Sequence, residues 1–216
     1  MFRFEDTSHK RDHRQNRSNV YDEVMARPTI DLKAVLLMTG VILILFIAAL
    51  RAMGRIWICE CGLGLGTFSA WSQETSQHLM DPYSTSHVLH GIIFFAALYP
   101  LRRKLSIGIR FILSLLIEIA WELLENSPII INRYRANTAS LDYVGDSILN
   151  SVGDVLFVLL GFWLTAKLPW KWSVGLVVII ELLMLLWYRD NLTLNVLMLL
   201  WPVEVIRDWQ MVEAAS

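Results

Sequence analysis

"WELLENSPIIINRYRANTASLDYVGDSILNSVGD", Trp121 to Asp154, lies between long apolar runs yet carries five carboxylates and two arginines. Ionisable side chains are expensive in a lipid-facing position, so a greasy chain that keeps this many must turn them toward one another. Helical spacing sorts them. Glu118, Glu122 and Glu125 stand at i, i+4 and i+7 and share one face of a predicted helix. Asp142, Asp146, Asn150 and Asp154 step by four, which predicts one stripe descending into the next apolar run. His87 and His90, at i and i+3, share a face at the start of an earlier run. Arg133 and Arg135, on the intervening segment, are expected to fold over the carboxylates and offset their charge.

Working outward, the chain has 216 residues, of which 55% are hydrophobic and 18% charged, fewer charges than an ordinary soluble domain carries. The sequence predicts an all-α, polytopic transmembrane bundle. The expected spans are residues 32–50, the shorter run "SHVLHGIIFFAALYPL" beginning at Ser86, and then about 106–125, 147–167 and 172–188. "LTLNVLMLLWPVEVI" is too short to cross before Pro202 and is expected to lie at the interface; if it crosses, the spans number six. Residues 1–30 are expected to be a disordered basic tail, 31–201 the membrane domain and 202–216 a C-terminal tail. The tail mixes charges of both signs with few large apolar residues, which suits a solvated leader better than a nucleic-acid-binding arm. No cleavage site follows the first apolar run, so that run is expected to stay as an uncleaved anchor.

Basic residues set the expected direction. Lys10, Arg11, Arg14, Arg17, Arg27 and Lys33 lie on or near the tail; Arg102, Arg103 and Lys104 join the second and third runs; Lys167 and Lys171 flank the turn between the fourth and fifth. By the positive-inside rule these regions are cytoplasmic and the N-terminus is inside a bacterial inner membrane. The two histidines, the three glutamates and the aspartate stripe then meet on the outer side. They predict a polar pocket that opens outward.

The two cysteines form Cys59-Glu60-Cys61, a spacing that does not easily close an unstrained disulfide, and two ordinary loop thiols are expected. Metal-ligating and redox readings of the pair stay open. Gly62, Gly64 and Gly66 are not a dinucleotide fingerprint, because no strand precedes them. The segment that contains them is expected to be a loop with a short interfacial helix near Trp71. His78 and Asp81 are candidates to reach the pocket as a lid. Glu181 is an isolated carboxylate in the last span.

The chemistry open to such a pocket has two forms. Imidazole and carboxylate together suit a divalent metal, with His87 and His90 as candidate ligands. Without metal, a His or Glu serves as general base beside a carboxylic acid. The arginines would suit a phosphate or carboxylate on the substrate. His90, Glu122 and Asp146 are the candidate catalytic residues. His87, Glu118, Glu125, Arg133, Arg135, Asp142 and Asn150 are the candidate substrate contacts.

"QHLMDPYSTSHVLHG" followed by the opening segment resembles an uncharacterised bacterial inner-membrane family, domain of unknown function 2585, from the first span to about Trp201. More distantly, His90, Glu122, Arg135 and the D-x-x-x-N-x-x-G step from Asp146 to Gly153 are similar to the VanZ-like membrane proteins associated with glycopeptide-antibiotic resistance. That likeness implies a shared four-helix core. The sequence departs from it at Ser86-His87, where those proteins carry Asp-Lys, and in a longer loop between Arg135 and Asp146.

The sequence therefore supports, first, a membrane protein that binds or processes a lipid or envelope-precursor headgroup, with membrane lipids and a lipid-linked substrate as partners. An ion-coupled transporter and a non-catalytic assembly subunit, with the polar cluster as packing glue, are the alternatives.

Overall fold

The computed structural model describes residues 28–214, so the tail expected over residues 1–30 lies almost wholly outside the described residues. The described chain is helical. In order, the elements are α1 (Leu32–Ala52), α2 (Ser84–Leu98), a 3-10 turn (Tyr99–Arg103), α3 (Ile107–Glu125), α4 (Pro128–Asn137), α5 (Ile148–Lys167), α6 (Trp170–Tyr188), α7 (Leu192–Leu200) and α8 (Glu204–Ala214).

Local chemistry fixes the ends. Asp31, Ser106, Ser147 and Asn191 each turn a side-chain oxygen back onto the first turn of α1, α3, α5 and α7, at 2.7, 3.4, 3.1 and 2.8 Å from the amides of Ala34, Ile109, Asn150 and Leu194. Pro128 opens α4, where its missing N–H costs nothing. Arg189, in the left-handed region at φ 52°, ends α6. Four helical stretches are long and apolar enough to cross a membrane: Leu32–Ala52, Ser84–Arg103, Ile148–Lys167 and Trp170–Tyr188. Their outer faces suit lipid, with Leu36, Leu37, Ile44, Leu45, Leu186 and Trp187 largely exposed. α3 is as long as α6, but it carries Arg110 and three glutamates and stands apart from those four.

The core follows the pairing of helices. Phe46 and Leu50 of α1, Ile112, Leu115 and Ile119 of α3, and Ile148 and Val155 of α5 form one buried cluster. Val88, Leu89 and Ile92 of α2 pack with α5 and α6 residues in another. α2 and α5 approach most closely, and two glycines allow it. A Cβ on Gly91 would stand 2.1 Å from the Val158 carbonyl oxygen, and one on Gly161 would stand 2.1 Å from that of Val88. Small residues at a crossing let membrane helices bring their backbones together, and here that contact sets the depth at which His87 and His90 face α3 and α5.

Several expectations are corrected. α5 begins at Ile148, so Asp142 and Asp146 precede the helix and only Asn150 and Asp154 share its face. No helix forms near Trp71; the segment between α1 and α2 is turns and bends with one isolated bridge between Gly66 and Met80. Residues 202–214 include a helix where a tail was expected. Glu181 is not isolated: its carboxylate accepts the Leu192 and Thr193 amides at 3.0 and 3.2 Å and so holds α7 folded back on α6. The run at 192–201, expected to be too short to cross, is indeed a nine-residue helix, far shorter than the ~20 residues a crossing needs.

The glycine crossing yields a stability prediction. Gly91→Ala and Gly161→Ala each force backbone apart and are expected to cost about 3 kcal/mol or more, read as a large drop in melting temperature in detergent. Gly175→Ala, where nothing lies within 4 Å of an added Cβ, is the control and should be neutral or slightly stabilising.

Candidate functional site

His87 and His90 project from the first turns of α2, and Glu118 and Glu122 from the last two turns of α3. The Glu118 carboxylate bridges the histidines, with Oε1 2.6 Å from His87 Nδ1 and Oε2 3.2 Å from His90 Nδ1. A carboxylate that accepts from both Nδ1–H groups fixes both rings and leaves Nε2 as the remaining basic nitrogen of each. Nε2 of His87 faces Asp154 Oδ2 of α5 at 3.9 Å. Glu118 is fully buried and Glu122 is 1% exposed. Neither oxygen of Glu122 has a hydrogen-bond partner, and His87 Nδ1 stands 3.7 Å from its Oε1. A buried carboxylate with both oxygens unsatisfied is rare and calls for a proton or a bound cation. His87, Glu122 and Asp154 offer ligand atoms within 4.8 Å of one another, as do His87, His90 and Glu118. Either set is compact enough for a divalent metal.

Above this cluster opens a cavity of about 590 Å³, the size of a small-ligand site. His87 and His90 stand in its floor. Its walls carry Trp71, Tyr83, Phe94, Trp121, Tyr134 and Tyr143, and five carboxylates: Asp81, Glu125, Asp142, Asp146 and Asp154. No lysine or arginine lines it among the described residues.

The long segment between α1 and α2 builds one wall because it is tied to the start of α5. Ile148 and Leu149, whose amides have no partner inside their helix, donate to the Ile56 and Trp57 carbonyls at 2.8 and 3.1 Å. Gln77 Nε2 donates to the Gly145 carbonyl at 2.9 Å, and Ser147 Oγ donates to the Gln77 carbonyl at 2.9 Å. Asp81 accepts the Ser76 and Ser84 amides at 2.8 and 3.0 Å, and Ser84 Oγ donates to Asp154 at 3.1 Å. Burial nevertheless raises the Asp81 carboxyl above its ordinary value. Asp146 exchanges two bonds with Asn126, which donates Nδ2–H at 2.7 Å and accepts the Asp146 amide at 2.8 Å; Tyr143 adds its hydroxyl at 2.9 Å. Burial raises Asp146 against those donors.

The structure thus brings His87, His90, Glu118, Glu122, Glu125, Asp142 and Asp146 to one region, with Asp142 exposed at the rim. It places three expected contacts elsewhere. Arg133 donates from Nη2 to the Leu200 carbonyl at 3.1 Å and from Nε to that of Leu199, docking α4 on α7. Arg135 is exposed and outside the cavity wall. Asn150 donates to the His78 carbonyl at 2.8 Å and acts as a tie. Of the expected lid pair, Asp81 lines the cavity, while His78 turns away toward Cys61. Asp154 sat on the expected stripe, and its spacing from Asn150 was the signal that could have promoted it to a site residue. The aromatic walls carried no such signal, because they come from five separate segments.

The apolar outer helices and the ionisable interior define the class: an α-helical membrane protein. Residues 50–212 match the family described as Protein of unknown function (DUF2585), and the chain belongs to it. It is 51% identical to a UPF0314 protein of Paracoccus denitrificans across 78% of this chain and 89% of that one. It is 48% identical to one from Sinorhizobium fredii, across 73% and 81%, and 47% identical to one from Brucella anthropi, across 79% and 90%. No solved structure matches it.

Asp190, just beyond α6, gives a pH prediction. Burial pushes its carboxyl up to about 6, against donors from Tyr83 at 2.9 Å, the Asn191 amide and Gln210 of α8. A raised carboxyl stabilises the fold while protonated and loses that contribution as pH rises from about 4 through 6. Relative to Asp190→Asn, the protein should therefore lose on the order of 3 kcal/mol across that window. Melting temperatures of both in detergent between pH 4 and 7.5 check it.

Proposed function

We propose that this protein is a five-span inner-membrane protein whose cavity binds, and whose histidine–carboxylate cluster processes, the headgroup of a lipid or envelope precursor. The observation that carries the reading is the unsatisfied Glu122 carboxylate beside His87 and Asp154, directly under an open cavity. Five spans follow if α3 crosses with the four apolar helices. Its charges then face α2 and α5 rather than lipid, and positive-inside directs the cavity outward.

The cavity walls narrow the ligand. Carboxylates and aromatic rings without lysine or arginine repel phosphate and suit a neutral polyol or a cationic amine. The bound part of a lipid-linked substrate is therefore its sugar or amine, and Arg133 and Arg135 do not read its phosphate. His90, Glu122 and Asp146 keep distinct roles. His90 is the half-buried base at the floor, Glu122 the proton or cation holder, and Asp146 a wall carboxylate held by Asn126 and Tyr143. A divalent metal, if bound, is held by His87, Glu122 and Asp154 and supplies Lewis acidity.

One observation favours ion-coupled transport instead. Glu122, Glu118, Ser114 and Arg110 recur every four residues and are all buried, a polar file along α3 toward its other end.

Native mass spectrometry of the protein purified from its membrane tests the first reading. A co-purifying lipid with a sugar or amine headgroup is expected. Trp121→Ala and Glu122→Gln should cut its occupancy at least tenfold while the protein stays folded. Metal content measured on the same samples separates the metal form from the metal-free one. An unchanged lipid profile in both variants sinks the proposal. Proton flux in proteoliposomes that is abolished by Ser114→Val would favour the transporter.

A further inference from the structure

A second constellation lies outside the cavity. Cys59 and Cys61 are joined by a disulfide, where two free thiols were expected. Cys59 is buried and Cys61 exposed. His78, itself buried, sets Nε2 3.7 Å from Cys61 Sγ and 3.4 Å from Glu74 Oε2. The imidazole is held from two sides. Its backbone carbonyl takes the bond from Asn150, and Gly64 packs against the ring so closely that a Cβ there would lie 2.6 Å from Nδ1. Gly62, at φ +112°, makes the turn behind Cys61, its amide donating to the Cys59 carbonyl at 3.0 Å. These two glycines give the alternating run a use: one turns the chain and the other seats the histidine.

We propose that Cys59, Cys61, His78 and Glu74 form a thiol–disulfide exchange centre whose substrate is a dithiol, or in reverse a disulfide, of another protein or small thiol. Cys61 is the entry sulfur, because it alone is exposed. A substrate thiolate attacks Cys61 Sγ, the intramolecular S–S bond breaks, and the electron pair leaves on Cys59 Sγ, which takes a proton from solvent. The second substrate thiolate then attacks its own sulfur in the mixed disulfide, and the pair leaves on Cys61 Sγ. One disulfide is lost and one is made; the chain gains two electrons and the substrate is oxidised. His78 acts at the second step and at its reverse, where its ring N–H beside Cys61 supports the thiolate both as leaving group and as nucleophile. Glu74, on the solvent side of the ring at 3.4 Å, holds the imidazole in place. Neither the cavity nor its occupant takes part, so the inference stands apart from the function proposed above.

The test uses the full-length protein in detergent. In Cys59→Ser, the rate of iodoacetamide alkylation of Cys61 against pH should show a midpoint at least one unit below the ordinary thiol value of about 8.5. His78→Gln should return it toward that value, and Glu74→Gln should move it the same way by less. Glutathione disulfide should cap Cys61 in Cys59→Ser at least tenfold faster than it caps Cys59 in Cys61→Ser. An ordinary midpoint in Cys59→Ser, or faster capping of Cys59, overturns the proposal. Should His78→Gln fail to fold, the exposed Glu74→Gln and the Cys59→Ser profile decide it.

Discussion

The bond between Glu118 and His87 is the constraint on which the interior depends. A carboxylate removed from water is tolerated only when its oxygens are satisfied, and Glu118 achieves this by bridging two imidazoles from another helix. That requirement fixes the rotation of α2 against α3. It also dictates that α2 present its histidines inward, which leaves its small face, at Gly91, for the close crossing with α5. Once α2 and α5 touch through glycine, Asp154 is carried to His87 and the acidic interior closes.

The same interior is incomplete by itself. Glu122 has no partner of its own, and the cavity above it is walled partly by a segment with no regular structure. That segment holds its place because α5 begins with amides that need acceptors. Ile56 and Trp57 supply them, and Ser147, Gln77 and Asn150 fasten the rest. A helix start thus organises two sites at once: the cavity wall formed by Ser76, Gln77 and Asp81, and the seat of His78 beside the disulfide.

At the far edge, α7 and α8 close the cavity by polar ties rather than by apolar burial alone. Glu181 holds the start of α7, Arg133 its end, and Gln210 of α8 reaches Asp190. These contacts explain why charged residues outside the central cluster occur in or beside apolar runs. They are fasteners, and Arg133 was diverted to that use from the substrate contact its position suggested.

The long helices were legible in the sequence because apolar length and capping residues are local properties: Asp31, Ser106 and Ser147 announce their helix starts, and Pro202 ends a run; the helix at Glu204–Ala214 was not. The face shared by Glu118, Glu122 and Glu125 was equally local, and so was that of His87 and His90. Tertiary structure alone decided which carboxylate meets which histidine, since that depends on how deep α2 sits against α5, a depth set by glycines 70 residues apart in the chain (91 and 161). It alone decided that Asp142 and Asp146 stand before a helix rather than on one, because the chain turns at Gly145 with φ +88°. It alone paired Cys59 with Cys61 and brought His78 to them. Such choices rest on contacts between distant segments, and periodicity carries no information about those.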